Sequence, residues 1–104
     1  KPAASGIFAV LVHGLSHKPL QGVANLGVRP SLDPNDVNGG RVLLETHCLD
    51  WPDTLGPEGA YGKIIRVELL YKLHDERKYD GLESLTQGIR QDCDDARAWF
   101  AARI

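Results

Sequence analysis

The chain of 104 residues lacks a long apolar run, a large charge excess of either sign and all but two cysteines. A membrane-spanning helix needs about 20 predominantly apolar residues, and the apolar run at residues 7–12 is much shorter. Twelve basic against fourteen acidic residues give a formal net charge of −2, whereas nucleic-acid-binding proteins usually carry a basic excess. The composition therefore excludes a membrane-spanning helix within these residues and argues against nucleic-acid binding.

Motifs for common catalytic and metal sites are also missing. Cys48 and Cys93 are far apart and form no Cys-x-x-Cys pair, which argues against a disulfide scaffold or zinc ribbon and favours a reducing, cytoplasmic setting. The chain has no Walker A, G-x-G-x-x-G, H-E-x-x-H or G-x-S-x-G sequence. Its four histidines have no paired spacing suited to a metal, so we expect no metal site of His and Cys.

What the sequence does contain is typical of one globular domain, with 42% apolar and 25% charged residues. Four runs of strand length alternate with segments rich in Gly and Pro. Loops of about twelve residues are long for a compact domain and are often functional. The strands are predicted at residues 6–13, 20–28, 41–49 and 63–73, and the two long loops at residues 29–40 and 50–62.

The third predicted strand carries a carboxylate in its middle. Strand alternation places Glu45 and His47 on the same face. A carboxylate there suits a sheet poorly, so Glu45 is either solvated or paired across the strand, or it is a general base beside a cleft. Asn25 and Gly27 in the second strand either form a turn or bulge or border the same site. Arg29 is either a surface arginine or an anchor for a phosphate or carboxylate.

The hydrophobic period changes to three or four residues after Asp80, which predicts a helix running to the C-terminus. Asp80 is the predicted N-cap, and Glu83 completes an acidic variant of the capping box. Trp99 and Phe100 are the expected docking residues. Strands followed by one helix predict a mainly β (α+β) domain built on a small barrel or curled sheet. The apolar stripe of the helix comprises Leu82, Leu85, Ile89, Cys93, Ala96 and Phe100.

Five segments, taken in order, resemble the riboflavin kinase family, which in bacteria forms the C-terminal part of the bifunctional flavokinase/FAD synthetase. The resemblance covers nearly the whole chain, and its most specific pieces are residues 25–30, Glu45-Thr46-His47, Tyr61-Gly62 and the helix start. The segments are GIFAV, GVANLGVRPS, LETHCLD, AYGKIIRVELLYKL and DERKYDGLESLTQGIRQDCDDAR.

The resemblance implies a six-stranded antiparallel Greek-key barrel with a long C-terminal helix, and residues 1–104 as one riboflavin kinase domain. The family has a Pro-Thr-Ala-Asn motif upstream of residues 6–12, whose threonine and asparagine bind the metal and the ATP phosphates. No such motif stands here. We therefore expect an N-terminally truncated fragment, weakly active or inactive alone, without the adenylyltransferase domain covalently linked in the parent. The sequence leaves open whether the first barrel strand is present.

The resemblance also implies a reaction, the transfer of the γ-phosphoryl group of ATP to the 5′-hydroxyl of riboflavin with Mg²⁺ or another divalent cation. The products would be FMN and ADP, and the parent protein would also make FAD from FMN and ATP. Glu45 matches the catalytic base. His74 stands where the family usually has arginine, and Tyr79 where it has phenylalanine. The matching nucleotide- and flavin-binding positions are Asn25, Gly27, Arg29, Pro30, Tyr61, Gly62, His74 and Tyr79.

Two functions other than a kinase also remain open from the sequence. A non-catalytic flavin-binding barrel that lacks the ATP and metal motif would bind riboflavin without converting it. A nucleic-acid-binding barrel is disfavoured by the acidic balance and by the lack of aromatics interleaved with Lys and Arg. We therefore expect small-molecule substrates, with neither nucleic acid nor a membrane as partner.

Overall fold

The computed structural model describes residues 5–29, 35 and 41–103, and these form four strands, a short 3-10 helix and one long helix. The fourth strand begins at Arg66 rather than at Lys63; otherwise the strands match their predicted positions to within a residue at each end. The elements are β1 (Gly6–His13), β2 (Leu20–Arg29), β3 (Arg41–Cys48), the 3-10 helix Asp53–Leu55, β4 (Arg66–His74) and α1 (Leu82–Ala101).

The strands make one antiparallel sheet in the order β3-β2-β1-β4. β1 is central, pairing with β2 from Gly6↔Leu26 to Val12↔Leu20 and with β4 on its other side. Its side chains are buried on both faces of the sheet, which explains why its sequence is a nearly continuous apolar run rather than an alternating one.

The apolar core lies in two layers, one on each face of the sheet. On one face, Ile7, Ala9 and Val23 pack against Cys93 and Phe100 of α1. On the other face, a second cluster is centred on β1 and the turn that follows it, and it is made of Phe8, Val10, Val12, Leu15 and Ala24. Since α1 covers the first of these faces, we call that side the helix face.

The start of α1 differs from the prediction. Gly81, not Asp80, is the N-cap, and no side chain caps the helix. The first helical hydrogen bond runs from Leu85 N–H to the Gly81 carbonyl at 3.0 Å. The Asp80 carboxylate stands one residue too early and instead accepts a hydrogen bond from Ser84 Oγ at 2.8 Å. The predicted Asp80 cap is therefore wrong.

The described residues form four strands, fewer than the six of the barrel that the resemblance implies. Within those residues, no helix has both the length and the apolarity that crossing a membrane requires. Pro30, a predicted site residue, lies outside the described part of the chain.

Candidate active site

A cavity of about 440 Å³ lies on the helix face, between the sheet and the N-terminal half of α1. Its volume is within the range of roughly 300–1,000 Å³ that small-molecule sites usually have. Ile7 and Val23 form part of its floor, while Leu85 and Ile89 of α1 stand on the opposite side. The cavity is therefore apolar on two sides, and its polar groups come from β2, β3, the end of β4, the segment after β4 and α1.

Asn25 and Glu45 are the polar pair on the sheet side of this cavity. They stand directly opposite each other across the β2–β3 ladder, so their Cα atoms are about 4.5–5.5 Å apart. The Asn25 Oδ1 atom is buried and has no hydrogen-bond partner within the described chain. An unsatisfied buried acceptor costs about 1–3 kcal/mol, and a donor on a bound ligand would remove that cost.

His74 and Asp92 form the polar contact between the sheet and α1 at the cavity. His74 Nε2 is 2.5 Å from Asp92 Oδ1, and His74 Nδ1 is 2.6 Å from the Asp75 carbonyl oxygen. Only 13% of the His74 side chain and 11% of the Asp92 side chain are exposed. A hydrogen bond from the Lys72 ammonium to the Asp75 carboxylate lowers the pKa of Asp75, so that carboxylate already has its own cation.

Tyr79 lines the cavity from the segment that leads into α1. Its ring lies directly on the helix at Gly88, where a Cβ atom would come within 2.6 Å of Tyr79 Cε1. A glycine inside a helix costs about 1 kcal/mol relative to alanine. Here the missing side chain makes room for an aromatic ring at the cavity wall.

The apolar stripe predicted for α1 packs on the core only in its C-terminal half. Cys93, Ala96 and Phe100 are buried. By contrast, Leu85 is 39% exposed and Ile89 is 50% exposed, and both line the cavity. The N-terminal half of the stripe is thus an apolar wall that the described residues leave partly uncovered.

A second cavity, of about 430 Å³, lies on the opposite face of the sheet. Trp51 and Lys63 line it. Trp51 Nε1 donates a hydrogen bond to the Gly56 carbonyl at 2.6 Å, and Lys63 Nζ donates one to the Leu15 carbonyl at 3.0 Å. Burial raises the pKa of the Cys48 thiol in this cavity, so Cys48 is a neutral thiol at pH 7. Thr46 and His47 of β3 line both cavities.

The structure brings four of the predicted site residues to the first cavity, namely Asn25, Glu45, His74 and Tyr79. Tyr61 is 80% exposed and lies with Gly62 in the loop before β4, away from it. Gly27 instead underlies the Glu76 carboxylate, whose Cδ would be 2.6 Å from a Cβ at that position. Arg29 pairs through its backbone with Arg41 at the end of the β2–β3 ladder.

Sequence reasoning missed Arg77 and Asp92, which also line the first cavity. Asp92 had a visible signal, because it lies three residues after Ile89 and seven after Leu85, on the apolar face of the helix. A carboxylate on such a face needs a buried partner, and His74 supplies it. The sequence around Arg77 has no comparable pattern that would mark this residue as part of a cavity.

Among the residues that the structure describes, no group of three or more His, Cys, Asp or Glu side chains is placed to hold a metal ion. Mg²⁺ usually keeps several waters and is held by one or two carboxylates together with substrate phosphates. The described side chains therefore do not form a preformed metal cage.

Comparison with known proteins shows similarity along most of the chain. The family model described as flavokinase, riboflavin kinase, matches residues 1–100. The bifunctional riboflavin kinase/FMN adenylyltransferase of Escherichia coli K12 is 41% identical over 95 residues, which are 91% of this chain and 27% of that protein. The protein of the same name from Haemophilus influenzae is 34% identical over 91% of this chain and 28% of its own length.

A Bacillus subtilis protein, the RNA-binding riboflavin kinase RibR, is 33% identical over 85% of this chain and 34% of that protein. The chain thus spans about a quarter to a third of the length of these curated relatives. A crystal structure of a macrolide-efflux protein from Streptococcus pneumoniae superposes with a TM-score of 0.71 at 21% identity, covering 92% of this chain and 28% of that one. At that identity the likeness concerns the fold alone.

Proposed function

Because the chain belongs to the riboflavin kinase family, we propose that it phosphorylates the 5′-hydroxyl of riboflavin with ATP, giving FMN and ADP. The observation that carries this proposal is the position of Glu45. Its carboxylate stands on a hydrogen-bonded strand, beside a cavity of substrate size with one apolar wall. A base held on a rigid element can be aimed at one particular hydroxyl group.

In this proposal riboflavin occupies the cavity on the helix face. The tricyclic ring packs against Leu85 and Ile89, with Tyr79 beside it, since these residues present apolar surface that the protein leaves uncovered. The ribityl chain extends toward β2 and β3. Asn25 Oδ1 accepts a hydrogen bond from a ribityl hydroxyl, and the terminal 5′-hydroxyl reaches Glu45.

Glu45 acts as the general base in the transfer step. As the 5′ oxygen forms its bond to the γ-phosphorus, the bond from that phosphorus to the β–γ bridging oxygen breaks and ADP leaves. The hydroxyl proton passes to the Glu45 carboxylate. Phosphoryl transfer asks the protein mainly to position the reactants and to stabilise charge, so one well-placed carboxylate is a sufficient proton acceptor.

We further propose that the segment around Gly27, Arg29 and Pro30 borders the nucleotide site, and that the loop of Tyr61 and Gly62 is a further nucleotide- or flavin-binding segment. The supporting observation is that β3, which carries Glu45, separates two cavities. A divalent cation would enter with the ATP phosphates and neutralise their charge. Glu45, a carboxylate that lines the first cavity, would help to hold that cation.

The larger setting of the domain is part of the same proposal. Residues 1–104 would be one riboflavin kinase domain whose complete form is a six-stranded Greek-key barrel. The names of the relatives support a parent protein with a linked adenylyltransferase domain that makes FAD. The unpaired thiols Cys48 and Cys93 suit a cytoplasmic location.

The test replaces Glu45 with glutamine in the full-length protein and measures ATP-dependent FMN formation from riboflavin by chromatography. Glutamine has nearly the same shape but cannot take the proton, so we expect kcat to fall about 10²–10⁴-fold, as is usual for loss of a general base. The matched control is Glu83→Gln, which removes an exposed carboxylate in the first turn of α1, outside the cavity.

Three results are informative. A selective loss in Glu45→Gln supports the role of Glu45 as the base. Wild-type turnover in that variant would make Glu45 a structural residue and remove the mechanism. Riboflavin binding by the wild-type protein without any ATP-dependent conversion would overturn the kinase and favour the flavin-binding module.

A further inference from the structure

His74 and Arg97 each take part in a polar contact between α1 and the rest of the described domain, and of these two only the His74 contact is at the cavity. His74 contacts Asp92 near the middle of the helix, at the cavity edge. Arg97 NH2 donates to the Leu49 carbonyl at 3.0 Å, among the residues around the first core layer. The two contacts therefore offer a comparison between an anchor beside the proposed flavin site and an anchor remote from it.

The His74 ring faces an acceptor at each of its two nitrogens. Nε2 faces the Asp92 carboxylate, and Nδ1 faces the Asp75 carbonyl oxygen. A neutral imidazole has one N–H donor, whereas the protonated ring has two. Both hydrogen bonds can therefore exist together only when the ring is an imidazolium. The cation is also what the nearly buried Asp92 carboxylate requires, since a buried charge is tolerated when it is paired and hydrogen-bonded.

Asp92 is the carboxylate that His74 contacts directly. Lys72 chiefly lowers the pKa of the Asp75 carboxylate, which is also close enough for the charge of His74 to lower that pKa. On the β4 side, Lys72 and Asp75 are paired with each other. Arg77 and Tyr79 line the cavity from the connecting segment, and Glu45 and His47 line it from β3. On α1 the neighbouring Cys93 has a pKa raised chiefly by burial, so it adds no charge at pH 7.

The geometry points to His74 as a positioning residue for riboflavin, an inference that rests on the proposed function. Through Asp92 the protonated ring fixes α1 to the end of β4. Ile89 lies one helical turn before Asp92, and Leu85 lies about one turn before Ile89. The distance between this apolar wall and the sheet is thus set at the His74–Asp92 contact. Neutralising His74 releases the wall and weakens flavin binding, without removing a group that takes part in phosphoryl transfer.

The experiment compares substitutions in the full-length protein by their effect on KM for riboflavin and on kcat in FMN formation. His74→Gln keeps a polar side chain but not the charge. Hydrogen bonds to charged groups are among the stronger ones, so we expect KM for riboflavin to rise about 10- to 100-fold, with kcat changed less. Asp92→Asn, which removes the counter-charge from the other side, is expected to act in the same direction.

Two variants separate positioning from general stability. His74→Arg keeps a permanent cation with several donors, and we expect its KM to stay within about threefold of the wild-type value. Arg97→Gln removes the remote anchor, so it should lower the unfolding temperature and leave KM for riboflavin unchanged. If His74→Gln does not fold, the His74→Arg variant and ¹⁵N labelling of the histidines in the wild-type protein still carry the test.

Selective ¹⁵N labelling of histidine gives a readout that a merely structural role would not move. Both His74 nitrogens should carry a proton, because each of them faces a hydrogen-bond acceptor.

The outcomes discriminate between this inference and the proposed function. If the wild-type protein forms no FMN, the proposed function fails and the inference fails with it. If the wild-type protein is active while His74→Gln has an unchanged KM, or one ring nitrogen of His74 carries no proton, the inference alone is overturned. A raised KM in both His74→Gln and Arg97→Gln would also overturn it, because the effect would then be general helix loosening.

Discussion

The two halves of α1 share one hydrophobic period but lie against different surroundings. In the C-terminal half, Ala96 is fully buried and Phe100 is 9% exposed. In the N-terminal half, Leu82 is 79% exposed and Ile89 is 50% exposed. The period thus identifies the side of the helix that turns toward the sheet, but it does not say whether protein or ligand fills the space there. The change occurs at Asp92, the charged residue of that face.

Phe100→Ala is the strongest test of this difference, because it removes a buried side chain from the C-terminal half of α1. Removing a buried aromatic ring from the layer formed with Ile7 and Ala9 should lower the free energy of unfolding of the domain by about 3–5 kcal/mol. Urea unfolding followed by tryptophan fluorescence measures this, because Trp99 contacts Phe100 edge-on at a centroid distance of 5.2 Å. KM for riboflavin should be unchanged in the folded protein. A small stability loss with a large rise in KM would show that the two halves are not separate.

Ile89→Ala tests the N-terminal half of α1, which lines the first cavity. Full burial of an aliphatic side chain is worth about 1.5–3 kcal/mol, and covering the exposed half of Ile89 with a ligand contributes about half of that. KM for riboflavin should therefore rise about three- to tenfold. The free energy of unfolding should change much less than in Phe100→Ala. Leu82→Ala is the matched control, since Leu82 is on the same stripe but does not line the cavity. Equal effects of the two substitutions would place the flavin elsewhere.

Gly88→Ala gives a smaller and more specific effect. The added methyl group would displace the Tyr79 ring from the cavity wall, and we expect KM for riboflavin to rise about three- to fivefold. Helix propensity alone would stabilise the variant by up to about 1 kcal/mol. The control Thr86→Ala makes a similar change in propensity at an exposed helical position. An unchanged KM in Gly88→Ala would mean that Tyr79 has no part in binding.

Much of the fold and part of the site could be predicted from local sequence patterns. Alternation along β3 was enough to place Glu45 and His47 on one face, which proved to be the helix face. Alternation alone could not predict that Glu45 stands opposite Asn25, because strand register depends on contacts between distant segments. The His74–Asp92 contact joins a strand end to the middle of a helix, so it has no local signature beyond the charge in the apolar stripe.

The loop residues were the hardest to place from sequence. Tyr61 and Gly62 match nucleotide- or flavin-binding positions of the family, but neither lines the first cavity in the described structure. Gly27 matched a binding position, yet its lack of a side chain accommodates Glu76. In both cases the residue type could be read from the sequence. The residues that lie next to it in the structure, however, depend on the path of a distant segment of the chain.

Glu45 is carried by a strand at the margin of the sheet, since β3 pairs with β2 alone within the described residues. Local opening of β3 breaks a single ladder of hydrogen bonds, whereas opening of β1 breaks two. The free energy of local opening differs between regions of one fold, and it is lowest where the fewest contacts are broken. Activity should therefore be lost before the middle of the sheet unfolds, because opening of β3 alone removes Glu45 from its position.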